Sequence, residues 1–225
     1  LLFPMLASYG FISSLSNESF YLLLIASALI SAAGYIINDY FDLRIDYVNK
    51  PEKVIIGIAI KRRVAMALHV VFSLLGVVIL SYLAFQLKVG VLALVPMLIV
   101  GMLWFYSTDY KRQFLIGNIV AGLLAVFPIL LVVLFETSIF KAYYSIENRL
   151  IAVLILKVIG YFSVVVFLIA MLISILKDIN EVQGDARLKC KTMPIVLGVK
   201  WAKVIVVVLV ALICYVLSSI QQLQY

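Results

Sequence analysis

The stretch INDYFDLRID, residues 37–46, follows the apolar run FYLLLIASALISAAGYI of residues 20–36 without a break. Its three aspartates, Asp39, Asp42 and Asp46, are spaced i, i+3, i+7 and are called the first acidic segment. On an α-helix this spacing places all three carboxylates on one stripe, where like charges repel. The repulsion costs free energy unless a cation lies among the carboxylates. The stretch therefore predicts a membrane-spanning helix that ends in a cation site.

The composition around this stretch is that of a membrane protein. The chain has 225 residues, is 66% hydrophobic and 13% charged, and has a mean hydropathy of +1.20. Soluble domains are about 45–50% apolar and about 25% charged. The apolar residues form long unbroken runs rather than the alternation of a transmembrane barrel. We expect an all-α, polytopic transmembrane helix bundle.

The apolar runs predict about seven spans, at 1–14, 19–37, 64–84, 89–107, 114–135, 150–176 and 201–220. No basic region precedes the first run, so a cleavable signal peptide is not indicated. That run is short and begins without a charged flank. We expect a single transmembrane domain over residues 1–225, incomplete at both ends.

The ionic residues are divided unequally between the two ends of the spans. Segments 38–63, 108–113 and 177–203 hold 14 of the 18 Lys and Arg residues and 8 of the 11 Asp and Glu residues. Because positive residues mark the cytoplasmic side, we expect a plasma-membrane protein with these segments in the cytoplasm. The net charge of +7 then reflects topology and contact with anionic membrane lipids or a phosphorylated substrate, not nucleic-acid binding.

The segment KDINEVQGDARLK, residues 177–189, repeats the acidic spacing after the sixth apolar run. Asp178, Glu181 and Asp185, here called the second acidic segment, are again spaced i, i+3, i+7 at the cytoplasmic end of a span. One such stripe is equally consistent with charges that merely end a helix at the interface. Two matched stripes favour a functional site, since acids at a membrane edge are candidates for function.

The ligand types favour Mg²⁺ over other metals. Oxygen ligands without histidine or thiolate partners suit Mg²⁺, which binds through a few carboxylates and substrate phosphates. The single histidine, His69, excludes a multi-histidine site, and its apolar surroundings indicate a packing role. Cys190 and Cys214 indicate no disulfide framework. The predicted metal ligands are the six acids Asp39, Asp42, Asp46, Asp178, Glu181 and Asp185.

Polar and basic residues on the same side complete a predicted polyphosphate site. Lys111 and Arg112 are confined to a very short loop after the fourth run, where they can pair with phosphate oxygens. Asn38 lies one turn before Asp42 and can hydrogen-bond that ligand. A diphosphate bound at the membrane edge, with its tail in an aromatic-rich bundle, describes a prenyl diphosphate. Aromatic faces can also stabilise an allylic carbocation.

The chain resembles the UbiA superfamily of intramembrane prenyltransferases in three elements, which follow the family's order over residues 38–198. Its N-D-x-x-D-x-x-x-D signature is present as Asn38, Asp39, Asp42 and Asp46. The following NKPEKVIIG, residues 49–57, is similar to the family's N-R-P-x-R-P-x-x-S-G. The second signature, D-x-x-D-x-x-x-D, is present as Asp178, Glu181 and Asp185, before KTMPIVLG in place of T-L-P-x-x-x-G. The third, Y-S-x-x-x-K-R with a later G-N, is present as Tyr106, Lys111, Arg112, Gly117 and Asn118.

This resemblance implies a bundle of about nine helices, in which two Mg²⁺ ions bridge the acidic segments to the diphosphate of the donor. It implies catalytic and metal-binding roles for the six acids. It also implies substrate contacts for Asn38, Lys53, Tyr106, Lys111, Arg112 and Asn118. Three features depart from the family: about seven spans instead of nine, Glu181 in place of an aspartate, and Lys53-Val54 in place of Arg-Pro.

The resemblance leaves two kinds of acceptor open. Quinone-pathway members of the family prenylate aromatic rings of the 4-hydroxybenzoate or dihydroxynaphthoate type, whereas lipid-pathway members alkylate the hydroxyl of geranylgeranylglyceryl phosphate. NKPEKVIIG and the KRR at 61–63 look more similar to the lipid branch. We therefore expect a geranylgeranyl-like donor, a lipid acceptor and a product of ether-lipid synthesis.

Proteins of other classes also carry acids in membrane helices. A cation or proton transporter places them near the bilayer midplane, often at broken helices, whereas these acids gather at one end of the spans. A CDP-alcohol phosphotransferase requires D-G-x-x-A-R, but residues 39–50 contain neither glycine nor alanine. A purely structural membrane protein remains the third alternative.

Overall fold

The computed structural model describes residues 13–222, which form a bundle of α-helices without a β-strand in that range. Six helices are long and apolar enough to cross a membrane: Asn17–Asn49 (α1), Arg62–Gln86 (α2), Leu94–Thr108 (α3), Ile116–Phe135 (α4), Arg149–Asn180 (α6) and Val199–Gln222 (α9). Short 3₁₀ turns extend α3 at both ends, to a span of Gly90–Arg112. The shorter helices are Thr137–Tyr144 (α5), Val182–Arg187 (α7) and Met193–Leu197 (α8).

The all-α transmembrane bundle predicted from the sequence is thus confirmed. Six of the seven predicted spans correspond to these six helices. The remaining one, at 1–14, lies almost wholly outside the described residues.

The length of α1 places the first acidic segment beyond the apolar part of the bundle. The helix has 33 residues and is therefore about 50 Å long, against about 30 Å for the hydrocarbon core of a bilayer. Its start is fixed by Ser16, whose hydroxyl accepts a hydrogen bond from the Ser19 amide at 3.1 Å. The surplus length consequently lies at the C-terminal end, which carries the acids. Helix α6, with 32 residues, likewise carries an acid, Asp178, in its last turn.

One apolar core lies in the half of the bundle opposite the acids. Leu23, Ile30, Leu80, Leu131 and Phe135 are fully buried there, where α1, α2 and α4 meet. A second apolar cluster packs α6, α8 and α9 together and consists of Leu168, Ile175, Met193, Ala202 and Leu209.

Two further expectations concern single residues. His69 is buried, and its Nδ1 lies 3.0 Å from the carbonyl oxygen of Ala33, which confirms a packing role. Cys190 and Cys214 are both unpaired.

The second acidic segment does not lie on a single helix, although its three acids line one cavity. Helix α6 ends at Asn180, Glu181 has φ −103° and ψ 9°, and a new short helix begins at Val182. Asp178 therefore lies on α6 and Asp185 on α7, with Glu181 at the junction. The junction is stabilised from outside, because a side chain from the end of α1 hydrogen-bonds the backbone there.

Candidate active site

Both acidic segments line two adjoining cavities at the end of the bundle where α1, α3 and α6 terminate. The larger cavity, of about 220 Å³, is lined by Asp39, Asp42, Asp46, Lys50, Lys53, Lys177 and Glu181, among others. The smaller, of about 30 Å³, is lined by Asp42, Tyr106, Lys111, Arg112, Ser174, Lys177, Asp178, Glu181 and Asp185, among others. Asp42, Lys177 and Glu181 line both. The structure therefore brings acids of both segments together with cations around one polar cleft.

Asp42 is the most enclosed acid of the first segment, with 5% of its surface exposed. Its Oδ1 lies 2.6 Å from Lys111 Nζ. Its Oδ2 accepts a hydrogen bond from Asn38 Nδ2 at 3.1 Å and lies 3.9 Å from Lys177 Nζ. The contact expected between Asn38 and Asp42 is thus present. Two lysines compensate a carboxylate whose charge would otherwise be costly to bury.

Lys111 is held in place by hydrogen bonds and by the helix beneath it. Besides Asp42, its ammonium contacts Asn38 Oδ1 at 3.0 Å and the Asn38 carbonyl oxygen at 3.4 Å. The backbone of Lys111 lies directly over Gly117, where a Cβ would come within 2.7 Å of the Lys111 Cα. The glycine of the G-N element therefore permits the close approach that carries Lys111 into the site.

Asn118, the second residue of that element, reaches across to the second acidic segment. Its Nδ2 donates to Asp178 Oδ2 at 2.8 Å and to Ser174 Oγ at 3.0 Å. Asn118 is buried at the start of α4, so the hydrogen bonds fix the Asp178 carboxylate at the end of α6. In this way the third sequence element contacts both acidic segments.

Glu181 and Asp185 are also buried, with 6% of each surface exposed. Glu181 Oε1 forms an ion pair with Lys50 Nζ at 2.6 Å, and Oε2 lies 3.9 Å from Lys177 Nζ. Asp185 Oδ2 accepts a hydrogen bond from Thr192 Oγ1 at 3.2 Å. Burial raises the pKa of Asp185 to about 6, against the lowering effect of the Thr192 hydrogen bond. A carboxyl perturbed by burial inside a cleft is typical of a functional site.

The remaining candidate residues surround these pairs. Arg112 donates from Nη2 to the Phe41 carbonyl oxygen at 3.3 Å, while its buried Nε has no hydrogen-bond partner among residues 13–222. Tyr106 lines the smaller cavity and Lys53 the larger. Asp39 and Asp46 line the larger cavity, and neither takes part in the ion pairs found in the described part of the chain.

Three residues of the site were not among the site residues predicted from the sequence. Lys177 pairs with both acidic segments, Asn49 joins α1 to α7, and Thr192 holds Asp185. Each has a weak signal nonetheless. Lys177 directly precedes Asp178, Asn49 opens NKPEKVIIG and Thr192 opens the TMP that follows the second segment.

The side chains of the cleft fit Mg²⁺ that is bound together with phosphate. Among the described residues, no three Asp, Glu, His or Cys side chains are grouped closely enough to hold a metal without other ligands. Mg²⁺ is commonly bound by one or two carboxylates together with substrate phosphates, so such a three-residue group is not required. The acids of the cleft offer oxygen ligands only, and the lysines beside them suit a phosphate.

Comparison with known proteins gives one family for the whole chain. A model described as the UbiA prenyltransferase family matches residues 1–225. The match therefore includes all the residues that line the cleft.

Curated relatives point in the same direction. Digeranylgeranylglyceryl phosphate synthase from Sulfurisphaera tokodaii is 29% identical over 200 residues, which are 84% of this chain and 63% of that protein. The synthase of the same name from Pyrococcus abyssi is 32% identical over 174 residues, or 77% of this chain and 55% of that protein. The chain therefore spans between about half and two thirds of the length of these relatives.

Two solved structures share the fold. A UbiA homolog from Archaeoglobus fulgidus bound to DMAPP and Mg²⁺ superposes with a TM-score of 0.63 at 18% identity, over 97% of this chain and 72% of that one. A structure of digeranylgeranylglyceryl phosphate synthase gives a TM-score of 0.54 at 23% identity, over 93% and 67% of the two chains. At these identities the likeness establishes the architecture alone.

Proposed function

The chain belongs to the UbiA prenyltransferase family, and from this premise we propose that it transfers a prenyl group from a prenyl diphosphate to a membrane-borne acceptor. The observation that carries the proposal is the polar cleft shared by the two acidic segments, in which Asp42, Lys177 and Glu181 line both cavities. Acids and cations so arranged at the end of an apolar bundle suit a diphosphate whose tail lies among the helices.

The acids of the cleft are the proposed ligands of two Mg²⁺ ions: Asp39, Asp42 and Asp46 on one side and Asp178, Glu181 and Asp185 on the other. When bound, Mg²⁺ would neutralise the negative charge that develops on the departing diphosphate. The bound DMAPP and Mg²⁺ of the Archaeoglobus fulgidus homolog support this assignment. In the present chain, Asn38, Asn118 and Thr192 orient the carboxylates through hydrogen bonds.

The cations of the cleft are assigned to the phosphate oxygens. Lys111 is fixed in position before any ligand arrives, and such preorganised charges stabilise a developing anion without reorganisation. Arg112 carries a buried Nε without a partner among the described residues, which leaves it a donor to offer. Lys53 and Tyr106 complete the proposed substrate contacts from the two cavities.

In the proposed reaction the bond between C1 of the prenyl group and the diphosphate oxygen breaks, and the diphosphate leaves with the electron pair. The acceptor oxygen then bonds to C1 and its proton is released. The best-supported acceptor is geranylgeranylglyceryl phosphate, since the relatives from Sulfurisphaera tokodaii and Pyrococcus abyssi carry the name of that synthase. The donor would then be a geranylgeranyl diphosphate.

The proposed location is the plasma membrane, with the cleft on the cytoplasmic side. The support is the excess of Lys and Arg at the end of the bundle that holds the cleft. Cytoplasmic Mg²⁺ would reach the site from that side.

A direct test offers the purified protein in liposomes a panel of prenyl diphosphates with either glyceryl-phosphate or aromatic acceptors. Mass spectrometry should detect a prenyl ether of the glyceryl phosphate, and chelation of Mg²⁺ should abolish it. Transfer to an aromatic ring alone would replace the proposed acceptor by one of the quinone type. Ion movement across the liposome membrane without any transfer would instead support a transporter.

A further inference from the structure

The side chain of Asn49 joins the last turn of α1 to the junction between α6 and α7. Asn49 Oδ1 accepts a hydrogen bond from the Gly184 amide at 3.0 Å. Asn49 Nδ2 donates to the carbonyl oxygen of Glu181 at 3.4 Å. The carboxamide thus contacts one donor and one acceptor of the same short segment.

The Gly184 amide belongs to the first turn of α7, whose amides lack partners within the helix. A side chain at the position before the helix usually accepts such a hydrogen bond. Here that position is Glu181, and its side chain makes no capping hydrogen bond. Asn49, which is distant in sequence, supplies the cap in its place.

The missing cap by Glu181 has a consequence for the cleft. Asn49 already accepts the hydrogen bond from the backbone at the start of α7. Because the Glu181 carboxylate is therefore not used as a cap, it pairs with Lys50 at 2.6 Å and Lys177 at 3.9 Å. Glu181 therefore lines both cavities. Lys50 directly follows Asn49, so two adjacent residues hold the backbone and the side chain of Glu181.

Gly184 is required for this contact on steric grounds. A Cβ on Gly184 would lie 2.5 Å from Asn49 Nδ2 and 2.7 Å from the amide carbon and oxygen. The distances are shorter than real Cβ contacts allow, so any side chain at 184 would displace the Asn49 carboxamide. The pair is complementary in shape as well as in hydrogen bonding.

We propose that Asn49 is a positioning residue that fixes the second acidic segment against the first by capping α7 from the end of α1. This inference rests on the proposed function, in which both segments bind one diphosphate with Mg²⁺. It assigns Asn49 no contact with the substrate. It predicts that the spacing between the two segments is set by the protein before the ligands bind.

The test uses three variants: Asn49→Ala, Gly184→Ala and the double variant that combines these two changes. The control is Asn180→Ala. Asn180 is an exposed amide next to the junction, and its side chain makes no hydrogen bond found among the described residues. In buffer without Mg²⁺, hydrogen exchange over residues 182–187 should accelerate roughly fivefold or more in Asn49→Ala. It should be unchanged in Asn180→Ala. A second variant, Asn49→Asp, retains the acceptor for the Gly184 amide and should stay close to wild type in that measurement.

A second readout is the affinity for Mn²⁺, used as a substitute for Mg²⁺ and measured by electron paramagnetic resonance in the presence of inorganic diphosphate. Asn49→Ala and Gly184→Ala should each weaken binding about 10- to 100-fold, as loss of outer-shell contacts does. The double variant should be little worse than either single variant, because both changes break the same contact. Unchanged exchange at 182–187 in Asn49→Ala, or additive effects in the double variant, would overturn the proposal.

Neither readout requires prenyl transfer. If wild type transfers no prenyl group in the acceptor panel, the proposed function fails, while exchange and Mn²⁺ binding still decide the role of Asn49. If wild type is active and the variants bind Mn²⁺ normally, the function stands and the role of Asn49 is refuted.

Discussion

Lys111 Nζ lies 2.6 Å from Asp42 Oδ1, and both side chains are almost withdrawn from solvent, with 10% and 7% of their surfaces exposed. This ion pair connects the turn after α3 to the projecting end of α1. A buried pair is stable only while both partners are present, because removal of one leaves an uncompensated charge. Loss of either partner should therefore affect both the stability of the protein and the proposed prenyl transfer.

Lys111→Met should lower both the stability of the protein and the rate of prenyl transfer. The variant leaves Lys177, at 3.9 Å, as the one cation beside Asp42 among the described residues, and we expect a loss of about 3 kcal/mol in stability. Transfer should fall about 100-fold or more, since a fixed cation proposed to bind the leaving diphosphate is lost. Thermal unfolding in detergent and product formation in liposomes measure the two effects.

A double-mutant cycle with Asp42→Asn separates these effects. The double variant should lose less stability than the sum of the losses in the two single variants, because it contains no unpaired buried charge. It should be as inactive as the single variants. Strict additivity in stability would contradict the coupling between these two residues.

Asp39→Ala and Asp178→Ala should each abolish Mg²⁺-dependent transfer, because each removes a proposed ligand from one side of the cleft. Asp109→Ala is the matched control. It removes an exposed acid from the same end of the bundle. Among the described residues, the Asp109 carboxylate accepts a side-chain hydrogen bond from Gln113 alone, at 2.7 Å. Near-normal turnover in either cleft variant, measured at saturating Mg²⁺, would refute the metal assignment.

Much of the candidate site could be predicted because several of its residues are acids at fixed helical spacing. Asp39, Asp42 and Asp46 remain on one helix, so their spacing in the sequence is their spacing in space. Asn38 lies one turn from Asp42 for the same reason and forms the expected hydrogen bond.

Other features depend on contacts between distant segments, which periodicity along the chain does not encode. The second acidic segment keeps the i, i+3, i+7 spacing but is divided between α6 and α7. Asn49, which is distant in sequence, binds the backbone at the junction. Lys177 is one of several lysines near the membrane edge in the sequence, and only the fold places it between Asp42 and Glu181.

Gly117→Ala should impair transfer without removing any polar group. A Cβ at 117 would come within 2.7 Å of Lys111 Cα and 2.9 Å of the Tyr110 carbonyl oxygen, and backbone atoms cannot move aside cheaply. The turn that carries Lys111 should shift, and a displacement of this kind can lower kcat about 100-fold. Gly160→Ala is the matched control, because no atom of residues 13–222 lies within 4 Å of a Cβ at 160. Equal activity of the two variants would show that the close approach of Gly117 is unimportant.

Thr192→Val should raise the Mg²⁺ concentration needed for half-maximal transfer about tenfold or more, because the oriented Asp185 carboxylate loses its 3.2 Å hydrogen bond. Thr192→Ser keeps the hydroxyl and should behave like wild type. Kinetic titration with Mg²⁺ at saturating donor measures the difference. An identical Mg²⁺ dependence in the valine and serine variants would remove Thr192 from the site.

At the opposite end of the bundle, Glu136 is fully buried and stabilises the start of α5. Its carboxylate accepts hydrogen bonds from the Ser14 amide and the Ser138 hydroxyl, each at 2.6 Å, and from the Ser13 hydroxyl. Burial raises the pKa of Glu136, but the hydrogen bonds lower it more, so the pKa lies below its ordinary value of 4.5. A charged acceptor of this kind commonly contributes about 1.5–3 kcal/mol per hydrogen bond.

A carboxyl with a lowered pKa stabilises the fold above its unfolded pKa and loses that contribution as the pH falls through its folded pKa. Glu136→Gln should therefore unfold at a lower temperature than wild type at pH 7, and the difference should shrink as the pH falls below 4.5. Glu147→Gln, at an exposed position on the same side, should match wild type throughout. Thermal unfolding between pH 3 and pH 7 measures these differences. A gap between Glu136→Gln and wild type that persists unchanged at the lowest pH would show that the charge of Glu136 does not stabilise the fold.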